Sequence, residues 1–124
     1  MESLDLAAQS VRETNQFFHD LSSSDTREFE ILHPNGAHNI AVGLDAPVKV
    51  HIRGHAGYFI AGMNKQAEVT IHGNVGWSVA ENMMSGVVRV NGFASECAGS
   101  SGHGGLLIIN GDASSRCGIS MKGT

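Results

Sequence analysis

Two cysteines, seven histidines and one serine- and glycine-rich loop are the parts of this 124-residue chain equipped to do chemistry. A thiol or hydroxyl nucleophile needs a histidine and a carboxylate on the same face to activate it. Neither Cys97, Cys117 nor the serines have such a pair at matching positions. Two cysteines are too few for a disulfide framework or a four-ligand zinc site, so both read as small buried thiols. The loop Ser100-Ser101-Gly102-His103-Gly104-Gly105 could cradle a phosphate only if a helix followed to supply an anion-binding N-terminus. None is expected there, and the loop reads as a glycine-rich corner.

His51 and His72 invite a metal hypothesis. Both point outward from neighbouring repeats, but they occupy different repeat positions, so a diagonal offset is expected between them. The residue aligned with His72 is Arg53, a poor companion for a cation, and His55 lies beyond a corner glycine. No carboxylate or third histidine is expected to converge on the pair. The expectation is therefore no catalytic, cofactor-binding or metal site in this chain.

The elements that would position these residues follow from a repeat. Residues 48–54, 67–73, 86–92 and 105–111 align without a gap, ending in Gly54, Gly73, Gly92 and Gly111, each 19 residues after the last. The third and fifth positions are apolar every time: Val50/Ile52, Val69/Ile71, Val88/Val90 and Leu107/Ile109. The sixth is always polar: Arg53, His72, Asn91 and Asn110. Each heptad is thus a half-buried strand ending in glycine. A fainter forerunner, residues 29–36, ends 18 residues before Gly54. Downstream, Ile60, Val79, Ala98 and Cys117 align, then Ala61, Ala80, Gly99 and Gly118, which predicts a second short strand and a corner.

Nineteen residues suit one turn of a solenoid in which equivalent strands stack in parallel about 4.8 Å apart. The Leu-x-x-Leu-x-Leu signature of a leucine-rich repeat and the Asp-bearing loops of calcium-binding rolls are missing. The expected fold is an all-β, right-handed parallel β-helix with an N-terminal helix: residues 1–26 form the helix and linker, 27–124 the β-helix. The helix is predicted over residues 4–21 from the stripe Leu4, Ala7, Ala8, Val11, Phe18 and Leu21, capping the first coil or reaching to a partner. Thr124 aligns with Ala67, Gly86 and Gly105, so a strand edge is expected at the last coil, available for self-association or a partner.

Composition agrees with a layered, glycine-turned fold: 16 glycines against 2 prolines, and a mainly aliphatic apolar content. A net charge of −4 with scattered Lys and Arg offers no footprint for nucleic acid or an anionic membrane. The first thirty residues hold no secretory pattern and no run approaches a membrane span, which predicts a soluble, cytoplasmic protein. Glu68, Glu81, Glu96 and Asp112 fall at four different repeat positions, against the paired carboxylates of a carbohydrate-acting β-helix enzyme. Met63-Asn64-Lys65, Asn82-Met83-Met84 and Met121-Lys122 place adaptable side chains at one corner of successive coils. These eight residues are the candidate partner interface, the alternative being that they plug the interior.

The segments Pro34-Asn35-Gly36-Ala37-His38, Ala61-Gly62-Met63-Asn64-Lys65, residues 80–86 and residues 113–123 resemble the glycine-repeat β-helix family. That family includes the C-terminal domain of the glutamate synthase large subunit and a subunit of formylmethanofuran dehydrogenase. Within it, the chain looks most similar to the small β-helix subunit of N-methylglutamate synthase, over residues 10–123. Known members continue for several more coils. The resemblance implies a non-catalytic scaffold subunit of an oxidoreductase complex. Its partners would resemble a glutamine amidotransferase and a flavin-binding synthase domain, with FMN and an iron-sulfur cluster held by them and none by this chain. An equivalent subunit of a formylmethanofuran dehydrogenase-type complex is the alternative within the family.

Overall fold

The computed structural model describes residues 1–94, 98–100 and 102–111. Its framework is a six-stranded, all-parallel sheet whose strands neighbour one another in chain order. The strands are β1 (Glu2–Asp5), β2 (Glu28–Leu32), β3 (Lys49–Arg53), β4 (Glu68–Ile71), β5 (Val87–Val90) and β6 (Leu106–Ile109), with one helix, α1 (Val11–His19). Parallel neighbours joined by one coil each make a β-solenoid, as the repeat predicts.

From β3 to β6 the register is the one read from the sequence. Val50, Val69, Val88 and Leu107 stack in one ladder and Ile52, Ile71, Val90 and Ile109 in another. The two ladders face inward, and through Val88 and Val90 they are fully buried. The opposite wall is Ile40, Ile60, Val79 and Ala98, also fully buried. The glycines at the ends of the later strands, Gly73, Gly92 and Gly111, are required by close approach. A Cβ on Gly73 would lie 2.6 Å from the Gly54 carbonyl oxygen, and one on Gly92 2.5 Å from that of Gly73. Backbone rests on backbone there, and no side chain fits.

Three expectations need correction. The forerunner strand is not offset by 18. Phe29 pairs with Val50 and Ile31 with Ile52, an offset of 21, because Gly36 lies beyond the strand in a corner where its N–H donates to the His55 carbonyl. Among the described residues the second short strand is not formed. Around Ile60 and Val79 the coils do hydrogen-bond to one another, through Ala61 N–H to Ile40 O and Ala80 N–H to Ile60 O. Yet the backbone takes positive φ at alternate residues, Phe59, Ala61 and Met63 and again Ser78, Ala80 and Asn82, so this wall is a stack of turns. Left-handed backbone is costly for residues with a Cβ, and it recurs here because inter-coil hydrogen bonds and a buried, small Ala at the centre hold it.

The third correction concerns the N-terminal segment. Residues 2–5 are strand β1, whose Leu4 stacks on Ile31, and α1 starts only at Val11. The Asp5 carboxylate accepts the Ala7 N–H and turns the chain. Ser10 then caps the helix, its hydroxyl accepting the Glu13 N–H while the Glu13 carboxylate accepts the Ser10 N–H. Together β1 and α1 close the first coil. β1 pairs with the sheet edge, and α1 covers the turn wall through its side chains. Asn15 Nδ2 donates to Asn39 O at 2.7 Å, and Asn15 Oδ1 accepts the Ala41 N–H at 2.8 Å. In the next coil the equivalent Ala61 N–H donates to the Ile40 carbonyl of the coil before it, so the Asn15 amide takes the position that a peptide holds there. Phe17 and Phe18 meet Phe29 edge to face, sealing the interior.

Two outcomes follow from this packing. Ile71→Asp places an unpaired charge between stacked strands at a cost of several kcal/mol against roughly 5–15 for a domain. Loss of the cooperative melting transition is the expected result. Asn15→Ala leaves the Ala41 N–H and Asn39 C=O unpaired and is expected to cost about 1–3 kcal/mol. Chemical denaturation would measure it, and Asn15→Asp, which keeps the acceptor, should lose less.

Candidate functional site

The proposed interface corner divides in two. Met63 and Met84 are 44% and 41% exposed, and Lys65 is exposed beside them. Asn82 is half-buried. Asn64 and Met83 are fully buried and form no part of a surface, which corrects the expectation for both. The reason is the ladder beneath them. Val48, Ala67, Gly86 and Gly105 shrink along the column, and the space is filled from the corner. A Cβ on Gly105 would lie 2.7 Å from Met83 Cε, and one on Gly86 2.8 Å from Asn64 Nδ2. Asn64 Nδ2 donates to the carbonyls of Ala67 and Ser85, holding the turn into the next strand. Met121, Lys122, Cys97 and Cys117 lie outside the described residues.

The exposed apolar side chains continue around the column. Trp77 is 67% and Phe93 56% exposed, with Tyr58 and Leu106 also standing out. His38 and Tyr58 stack with ring centroids 3.8 Å apart, and Trp77 follows at 6.5 Å from Tyr58. His38 Nδ1 accepts the Tyr58 N–H at 2.9 Å, so in the neutral ring the proton sits on Nε2. Glycines 57 and 76 floor a shallow apolar cavity of about 270 Å³ beneath these rings. Tyr58 and Trp77 are 19 residues apart and His38 is 20 before Tyr58, a spacing that could have revealed the stack in the sequence.

The histidines do not stay apart. His51 Nδ1 lies 3.0 Å from His72 Nε2, the rings inclined by only 23°. A diagonal offset on parallel strands is short enough for two imidazoles to span. A carboxylate reaches one of the two from its far side: Glu28 Oε2 is 2.6 Å from His51 Nε2. It was hidden by the 21-residue offset of β2, which sets Glu28 under Lys49 and diagonal to His51. The Glu28 carboxyl is held below its usual range, first by the His51 hydrogen bond. The His72 imidazole is pushed down by burial, then by the Arg53 and His51 charges. Arg53 is partly occupied by Glu30, its Nε 3.3 Å from Glu30 Oε2. Among the described residues no three His, Cys, Asp or Glu side chains converge as a metal cage. His55 serves the fold, its Nδ1 accepting the Asn74 N–H. From Gly102 the chain leads into β6, with the His103 N–H donating to Met83 O.

No protein-family model and no solved structure matches the chain. Among curated proteins it is similar to Protein GlxC of Rhizobium meliloti (strain 1021). The two are 51% identical over 65 residues, 52% of this chain and 28% of that protein. The chain therefore spans little more than a quarter of that relative. No helix among the described residues is long and apolar enough to cross a membrane.

The two shifts give a pH dependence of one sign. His72 binds its proton less readily folded than unfolded, so stability falls as pH drops below its ordinary value of 6.5. Glu28 adds a further loss below its ordinary 4.5, as protonation removes the His51 contact. Melting temperature recorded between about pH 7.5 and 5.5 should fall less steeply in His72→Gln than in the wild type. Parallel slopes would remove His72 as the cause.

Proposed function

We propose that this chain is a non-catalytic scaffold subunit of a glutamate-synthase-type, flavin-dependent oxidoreductase complex, similar to N-methylglutamate synthase. The observation that carries the reading is a rigid, hydrogen-bonded column with Met63, Met84, Trp77 and Phe93 exposed on its corners. Aromatic residues and Met are enriched where proteins meet, and a side chain projecting from stacked coils loses little freedom on binding. The resemblance of the coils to the glycine-repeat family supplies the kind of complex. The strong local identity to part of a longer protein agrees with coils that serve as one portion of a larger assembly.

On this reading the chemistry belongs to the partners. An amidotransferase-like subunit releases ammonia or activates the amide, a flavin-binding synthase-like subunit with FMN and an iron-sulfur cluster carries the redox step, and this chain holds them in register. Coexpression of the three subunits should give a complex with glutamine-dependent synthase activity, and omission of this chain should lower both assembly and coupled turnover. Met84→Glu should weaken assembly while leaving the melting temperature of the isolated chain unchanged. Tight flavin binding or glutaminase activity in the isolated chain would overturn the proposal.

A further inference from the structure

The contact between His51 and His72 has the form of a ligand pair. Because the Glu28 carboxylate can only accept, it fixes the proton of neutral His51 on Nε2 and leaves the Nδ1 lone pair facing His72 Nε2. A carboxylate behind an imidazole is the arrangement that orients metal-bound histidines and raises their basicity. His51 lies in β3 and His72 directly follows β4, its N–H donating to the Ile52 carbonyl at 2.8 Å, so both are held by the backbone of neighbouring coils.

The separation selects among metals. With metal–nitrogen bonds of about 2.0–2.1 Å, two nitrogens 3.0 Å apart subtend roughly 90° at a metal lying between them. That is the angle between neighbouring ligands of a square or tetragonal site, whereas a tetrahedral site would require the two rings to part slightly from their hydrogen-bonded separation. Imidazole nitrogen in tetragonal geometry suits Cu(II) or Ni(II). We propose that His51 and His72 form a two-imidazole site for a tetragonal divalent transition metal, Cu²⁺ or Ni²⁺, with Glu28 orienting His51 and water completing the coordination. Binding moves the proton of neutral His72 from Nε2 to Nδ1 through solvent, so no net proton is released when both rings are neutral. Below the ordinary histidine range protons compete with the metal. Arg53 opposes the incoming charge and Glu30 offsets it, while Lys49 flanks Glu28 and the Arg89–Glu68 pair lies farther up the same face. The proposal stands independently of the scaffold reading, since it concerns only this chain's own side chains.

The test is titration of the untagged, chelator-treated full chain with CuCl₂, followed by calorimetry and electron paramagnetic resonance. One Cu²⁺ per chain with coupling to two nitrogens is expected. His51→Ala and His72→Ala should each weaken binding at least about tenfold, and Glu28→Gln about tenfold. His55→Ala should leave it unchanged. A wild-type spectrum without two-nitrogen coupling would overturn the proposal even where a variant fails to fold. Equal affinity in the wild type and a folded His51→Ala/His72→Ala double variant would do the same.

Discussion

Each coil of this solenoid lies on the backbone of the one before it, and at the later strand ends glycine rests directly on glycine. Gly73 on Gly54 and Gly92 on Gly73 leave no room for a Cβ, so the repeat length is fixed at the strand ends to the residue. An insertion of one residue would bring a side chain onto a carbonyl and would turn the inward face of the strand outward. The ladders, the buried wall of turns and the placement of every exposed side chain depend on that spacing.

This explains why the later coils were legible in the sequence. A period that is enforced physically leaves the same residue types at the same places, and the pairs Val50–Val69–Val88 and Ile52–Ile71–Val90 could be read as ladders directly. The turn wall was legible as to burial but not as to conformation. Ile60 and Val79 look like strand residues, while the left-handed backbone at Phe59, Ala61 and Met63 has no glycine to announce it. Stacking against identical turns overrides the local preference of those residues. In the same way Asn64 and Met83 carry surface-like types, and only the shrinking ladder of Ala67, Gly86 and Gly105 shows why they turn inward.

The first coil follows different rules, and there the sequence misleads. β1 and β2 pair at an offset of 27 and β2 and β3 at 21, so no periodic alignment places Glu28 beside His51. The apolar stripe runs through a boundary that local chemistry marks plainly: Ser10 and Glu13 form a capping box, a signal four residues wide at which the helix starts, which rules out one beginning at Leu4. The departures from the repeat and the polar cluster coincide for one reason. A capping coil is not held to the glycine spacing, because its outer side meets α1 and Asn15 in place of another coil.

Along the column the apolar content moves from inside to outside. The inner wall runs Ile40, Ile60, Val79, Ala98, and the corner ladder Val48, Ala67, Gly86, Gly105. Each lost methylene removes about 0.8 kcal/mol of burial, and Met83 restores only part of it. Over the same coils the outward sheet face changes from Glu28, Lys49 and Glu68 to Val87 and Leu106, and Trp77 and Phe93 stand exposed on the corners. The first coil is thus closed by its own cap and faced with charge. The later coils hold less hydrophobic area inside and present more of it outside, so covering their outer surface stabilises them more than it would the first. That asymmetry agrees with the scaffold role proposed above, in which α1 anchors one end of the column and a partner would cover the later coils.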